Sequence, residues 1–192
     1  MKINECIDLV QNCKLICITG KMASGKNYVC SQFEKKGWFS VDADVLVHQA
    51  IEQSSQVILD TFNDIANEKK INLLNDDGKI NRRELGKILF SSPKLLEKQE
   101  KIVYPVIIKM VQKIILEHSK VILNATVLYK TPELLKMCET VVFVQSNTIK
   151  RLFRAHHRDS LPYRQILRRF KTQQTLLQEY KKFKIPIFIV NN

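Results

Sequence analysis

The sequence predicts an α/β protein: a parallel five-stranded sheet in a three-layer core, interrupted by a helical insertion. Three observations carry this reading. Short apolar runs alternate with stretches of helical period, the order expected of strands joined by crossover helices. The first run, Leu15 to Ile18, is continuously apolar, as a strand covered on both faces must be. Between about 46 and 118 no such run occurs, and the apolar residues there recur at helical spacing.

Taken in order, Leu15-Ile16-Cys17-Ile18 stops at Thr19-Gly20 and reads as the first strand. A helix follows from Gly25 toward Lys36, with Gly37 suited to its C-terminal cap. Trp38-Phe39-Ser40-Val41, ended by Asp42, is the second strand. One helical stretch is expected from about Asp44 to Phe62, then helices over 82–90 and 93–117. Leu95, Leu96, Ile102, Val103, Val106 and Ile107 keep helical period and are expected in the core, while Asp76-Asp77-Gly78 reads as a turn. Val121-Ile122-Leu123, Val141-Val142-Phe143-Val144 and Ile185 to Val190 complete the sheet. Lys150 to Lys184 reads as basic helix broken near Leu161-Pro162. With no linker or repeat, residues 1–192 form one domain: core about 13–45 and 119–192, insertion about 46–118.

Composition narrows the partners. Lys plus Arg exceed Asp plus Glu by 31 − 19 = 12, a surplus that attracts polyanions of any kind. No apolar run approaches the roughly 18 residues of a membrane span, and the acid at Glu5 argues against a secretory leader. The five cysteines include no Cys-x-x-Cys pair and fall at no metal-ligand spacing with His118, His156 or His157. They read as the reduced thiols of a cytoplasmic protein. No membrane is expected as a partner.

Between the first strand and the first helix stands Gly20-Lys21-Met22-Ala23-Ser24-Gly25-Lys26, the G-x-x-x-x-G-K spacing of a phosphate-binding P-loop in the strand–turn–helix context that motif needs. The glycines let backbone N–H groups converge on a β-phosphate, the helix N-terminus adds its positive end, and Lys26 reaches the β/γ oxygens. Gly20, Met22, Ala23, Ser24, Gly25, Lys26, Asn27 and Tyr28 are the candidate ATP-binding residues. Where the motif places a hydroxyl for Mg²⁺ this chain has Asn27, whose amide oxygen is a hard donor set further out.

The rest of the chain resembles the dephospho-CoA kinase family over roughly residues 14–192. The resemblance rests on Val41-Asp42-Ala43-Asp44 with His48 a turn later, and on Asp77-Gly78 through Arg82, Leu85 and Phe90. It continues through Tyr104-Pro105-Val106-Ile107, Arg154-x-x-x-Arg158-Asp159, Arg169-x-x-x-Gln173 and Ile189-Val190-Asn191-Asn192. Departures are Asn27, Ala23 for a glycine, Tyr104 for a histidine, and Thr126 and Lys130 where the family carries proline and glutamate.

The resemblance implies a P-loop core with an acceptor-binding helical insertion and an arginine-rich lid over about 150–165. It also implies transfer of the ATP γ-phosphoryl group to the ribose 3′-hydroxyl of dephospho-CoA, with Mg²⁺. On that reading Asp44 takes or orients the hydroxyl proton, and Asp42 organises metal or loop. Lys26, Arg154 and Arg158 neutralise the transferring phosphate, Arg151 sharing their helix face. Asp42, Asp44, His48 and Arg82 bind the acceptor, and Asn191 joins the ATP site. The alternatives are an impaired nucleotide- or CoA-binding homologue and a kinase for another small acceptor. A nucleic-acid-binding module ranks below both.

Overall fold

A computed structural model describes the whole chain, Met1–Asn192. Its chain divides into two compact units, Met1–Ala43 with Ile114–Asn192, and Asp44–Lys113.

The first unit holds the sheet: β1 (Leu15–Gly20), β2 (Phe39–Asp42), β3 (Val121–Asn124), β4 (Thr140–Gln145) and β5 (Ile187–Asn191). All pairs are parallel and the order is β2-β3-β1-β4-β5. Both faces are covered, which is why β1 is buried throughout and apolar from Leu15 to Ile18. Ile16 and Ile18 pack with Cys6, Ile7 and Val10 of α1 (Ile3–Leu9) and the turn after it, and with Val29, Cys30 and Phe33 of α2 (Lys26–Glu34). Cys17 and Thr19 face the other side.

The second unit carries α3 (Ala43–Gln53, starting one residue earlier), α4 (Ser55–Glu68), α5 (Arg82–Leu89) and most of α6 (Pro93–Glu117). The single helix expected over 44–62 is instead two, parted at Ser54, where adjacent serines lower helix propensity. Residues 75–79 make the expected turn, with Gly78 N–H on the Asn75 carbonyl and φ of 76°. Asn81 caps α5, its Oδ1 accepting from Glu84 N at 3.2 Å. Val103 and Ile107 are fully in the interior; Leu95, Leu96, Ile102 and Val106 are only half-buried.

The first unit resumes at Ile114 with the end of α6 and β3, followed by a 3-10 turn at Leu128–Lys130 and α7 (Pro132–Lys136), then β4, α8 (Thr148–Asp159), α9 (Tyr163–Lys171) and α10 (Leu176–Lys181). The basic stretch after 150 is thus broken twice. Pro162 makes the first break. At the second, the Thr172 hydroxyl donates to the Arg169 carbonyl at 2.8 Å, competing with the helix ladder. On α10, the buried Tyr180 hydroxyl accepts from Leu128 N at 3.0 Å and donates to the Thr126 carbonyl at 3.2 Å, tying this helix to the chain after β3.

Candidate active site

Strand β1 delivers the loop. Its last residue, Gly20, lies so close to β4 that a Cβ there would stand 2.5 Å from the Val144 carbonyl oxygen and 2.6 Å from Ser24 Oγ. Gly25 has φ of 91° and opens α2, where the first-turn N–H groups have no partners within the helix. Ala23 also sits in the left-handed region, at φ of 58°, the strained replacement of a residue best filled by glycine.

Three elements hold this loop from behind. Gln173 Oε1, just after α9, accepts from Met22 N at 2.6 Å. Arg151 of α8 donates from Nε to the Met22 carbonyl at 2.9 Å and lies 4.0 Å over the Phe170 ring. Asn192 donates from Nδ2 to the Ser24 carbonyl at 2.9 Å. Lys26 Nζ lies 3.4 Å from the Gly20 carbonyl.

In front of the loop is a cavity of about 260 Å³ lined by Ala23, Ser24, Gly25, Lys26, Asn27, Arg154 and Arg158. Its charged lining is entirely cationic. Asn147 caps α8, and the helix projects Arg154 and Arg158, one turn apart, over the loop. Asp159 holds Arg158 in a fork, Nε to Oδ1 at 2.7 Å and the terminal nitrogen to Oδ2 at 3.0 Å. That hydrogen bonding raises the guanidinium pKa and lowers that of the carboxyl. Arg154 reaches Ser146 Oγ at 3.4 Å. Arg151 parts from its neighbours: it is 5% exposed and turned to the back of the loop.

Beside this cavity a more open one, about 460 Å³, is lined by Gln145, Ser146, Asn147, Thr148, Lys150, Asn191 and Asn192 at the ends of β4 and β5. Tyr28 is exposed on the first turn of α2.

At the other edge, Asn27 Oδ1 accepts from Asn124 Nδ2 at 3.0 Å, and Asn124 is in register with Asp42 on β2. The tips of β2 and β3 and the start of α2 thus gather one carboxylate and two amides. In the second unit, α3 shows Asp44 and His48 exposed one turn apart, and Arg82 is exposed at the start of α5. Sequence reasoning missed Asn124, and it met Gln173 and Asn192 only within the resemblance, without their roles as loop supports. A polar residue ending an apolar run, the signal that singled out Asp42, was available for Asn124.

A phosphate-binding loop on a parallel sheet, faced by arginines from the helix after β4, defines a P-loop phosphotransferase site. The dephospho-CoA kinase family model matches residues 14–192, and the chain belongs to that family. The dephospho-CoA kinase of Treponema pallidum is 30% identical over 167 residues, 84% of this chain and 79% of its own length. That of Treponema denticola is 29% identical over 184 residues, 93% and 82% respectively. Among solved structures, a Thermus thermophilus protein superposes with a TM-score of 0.74 at 22% identity, covering 93% of this chain and 87% of its own. The Campylobacter jejuni dephospho-CoA kinase gives 0.58 at 22% identity, with 93% and 88% covered.

Proposed function

We propose that this chain catalyses the last step of coenzyme A biosynthesis, moving the γ-phosphoryl group of ATP onto the ribose 3′-hydroxyl of dephospho-CoA to give CoA and ADP. The observation that carries the reading is the convergence of Lys26, Arg154 and Arg158 on the loop cavity of a chain in this family. The transferring phosphoryl passes through a loose, strongly anionic state, so positioned positive charge is the main catalytic demand. Backbone N–H groups of the loop and Lys26 take the β- and γ-phosphates. Arg154 and Arg158 close over them, and the open cavity bordered by Asn191 receives the nucleoside. The 3′-hydroxyl oxygen bonds to the γ-phosphorus as the bond to the ADP oxygen breaks, and its proton passes to Asp44. His48, Arg82 and Asp42 hold the acceptor.

The residues present fit magnesium. Asn27 Oδ1 and the Asp42 carboxylate are hard oxygen donors, and Asn124 occupies only one of the two lone pairs of that amide oxygen. Bound with ATP, the ion would neutralise the β/γ oxygens. No helix here is long and apolar enough to cross a membrane, and all five cysteines are unpaired, in keeping with work in the cytoplasm. The test is direct. Protein with ATP, Mg²⁺ and dephospho-CoA yields CoA; no CoA from protein that binds both ligands would leave the impaired homologue as the better reading.

A further inference from the structure

Behind the P-loop, on the side away from the Lys26 cavity, is a third cavity of about 220 Å³ between β4, the start of α8 and α10. Lys21 and Ser24 border it, with Arg151, Gln145, Thr148, Gln174 and Gln178. It shares Ser24 with the catalytic cavity and none of Gly25, Lys26, Asn27, Arg154 or Arg158.

Its chemistry is unbalanced. Arg151 is 5% exposed, and one of its terminal nitrogens has no partner. Ser24, 1% exposed, likewise leaves its hydroxyl unpartnered. Both charged residues of the lining are cations, and no Asp or Glu borders the cavity. Burying a guanidinium against only a carbonyl and a ring face is costly without a compensating anion. Burial, then Arg151, lowers the Lys21 pKa, and burial lowers that of Arg151, both consistent with missing negative charge.

We propose that this cavity binds a small free oxyanion of phosphate or sulfate size, held by Arg151, Ser24 and Lys21. The volume suits such an ion with a few waters and is too small for a nucleotide. Because Arg151 also holds the Met22 carbonyl, the anion braces the loop from behind, and its binding and that of nucleotide favour each other.

The experiment must separate this site from the loop, which itself takes phosphate. Thermal unfolding is followed at saturating ADP while inorganic phosphate or sulfate is titrated against chloride of matched ionic strength. The expected result is a further rise of about 4 °C with the oxyanion at tenfold its Kd, and ADP affinity that rises with phosphate. In Gln178→Glu, from α10, and independently in Gln174→Glu, from the turn before it, a carboxylate takes the place of the anion. Either variant raises the unfolding temperature in phosphate-free buffer and abolishes the response. No response beyond chloride at saturating ADP, simple competition between phosphate and ADP, or an unchanged response in both glutamate variants would overturn the proposal.

Discussion

Ala23, at φ of 58°, holds a conformation that costs an L-residue about 1–2 kcal/mol. It is kept there by Met22 on one side, bonded through both its backbone groups, and by Ser24 on the other, bonded to Asn192. Ala23→Gly removes that strain while adding up to about 1 kcal/mol of unfolded-chain entropy. We therefore expect urea unfolding to show the variant as stable as the parent or up to about 1 kcal/mol more so; a loss of 1 kcal/mol would contradict the strain. Asn27 is the second telling residue. Its amide oxygen already accepts from Asn124, so on the proposed function it would meet a cation with one lone pair spent, and one atom further out than a serine hydroxyl. Asn27→Ser should lower the Mg²⁺ concentration for half-maximal rate by about tenfold, on the scale of changes around a metal ligand. An unchanged Mg²⁺ dependence would show that the ion does not use this position.

Helix α8 works with both faces. Its buried side sends Arg151 to the back of the loop; its exposed side sends Arg154 and Arg158 to the front. Arg154→Ala should therefore lower kcat by about 10²–10³ while leaving the unfolding temperature close to the parent, because the residue is exposed and its removal empties no core space. A loss confined to KM would place Arg154 in ground-state binding alone. The loop and its arginine helix were legible in the sequence because motif spacing and helix period are local. Four of the five strands were legible as continuous apolar runs and β2 as a short run ended by Asp42, with ends displaced by one or two residues, as at β5, which begins at Ile187 instead of Ile185. The supports were not. Gln173, Asn124 and Asn192 act through contacts 97 to 168 residues away along the chain; only Asn124, a polar residue ending an apolar run, carries a local mark, and that mark does not name its partner. Helices α1 and α7, of seven and five residues, were too short to display a period. The role of Arg151 was hidden because period placed it on the face of Arg154 and Arg158, whereas its side chain turns inward.

For the molecule as a whole, the surplus of 12 positive charges has the sign of the loop cavity, whose charged lining residues are all cationic. The buried thiols make its stability fall at alkaline pH. Burial pushes Cys17 up to about 12 and Cys30 up to about 11, from 9.0. Above pH 9 the unfolded chain sheds these protons while the folded chain keeps them. Their full contribution is therefore present below pH 9 and is lost as pH rises toward 11–12, at up to about 1.4 kcal/mol per unit for each thiol. Stability measured by denaturant from pH 8 to 11 should fall more steeply in the parent than in Cys17→Ala; parallel curves would contradict this.

The central claim is that the loop cavity and its arginines serve phosphoryl transfer to an acceptor hydroxyl. It is tested most directly by ADP release from Mg²⁺·ATP with and without dephospho-CoA, in the parent and in Lys26→Ala. Turnover in the parent should depend on the acceptor and fall at least about 100-fold in the variant. ADP release that ignores dephospho-CoA, or survives the loss of Lys26, would contradict it.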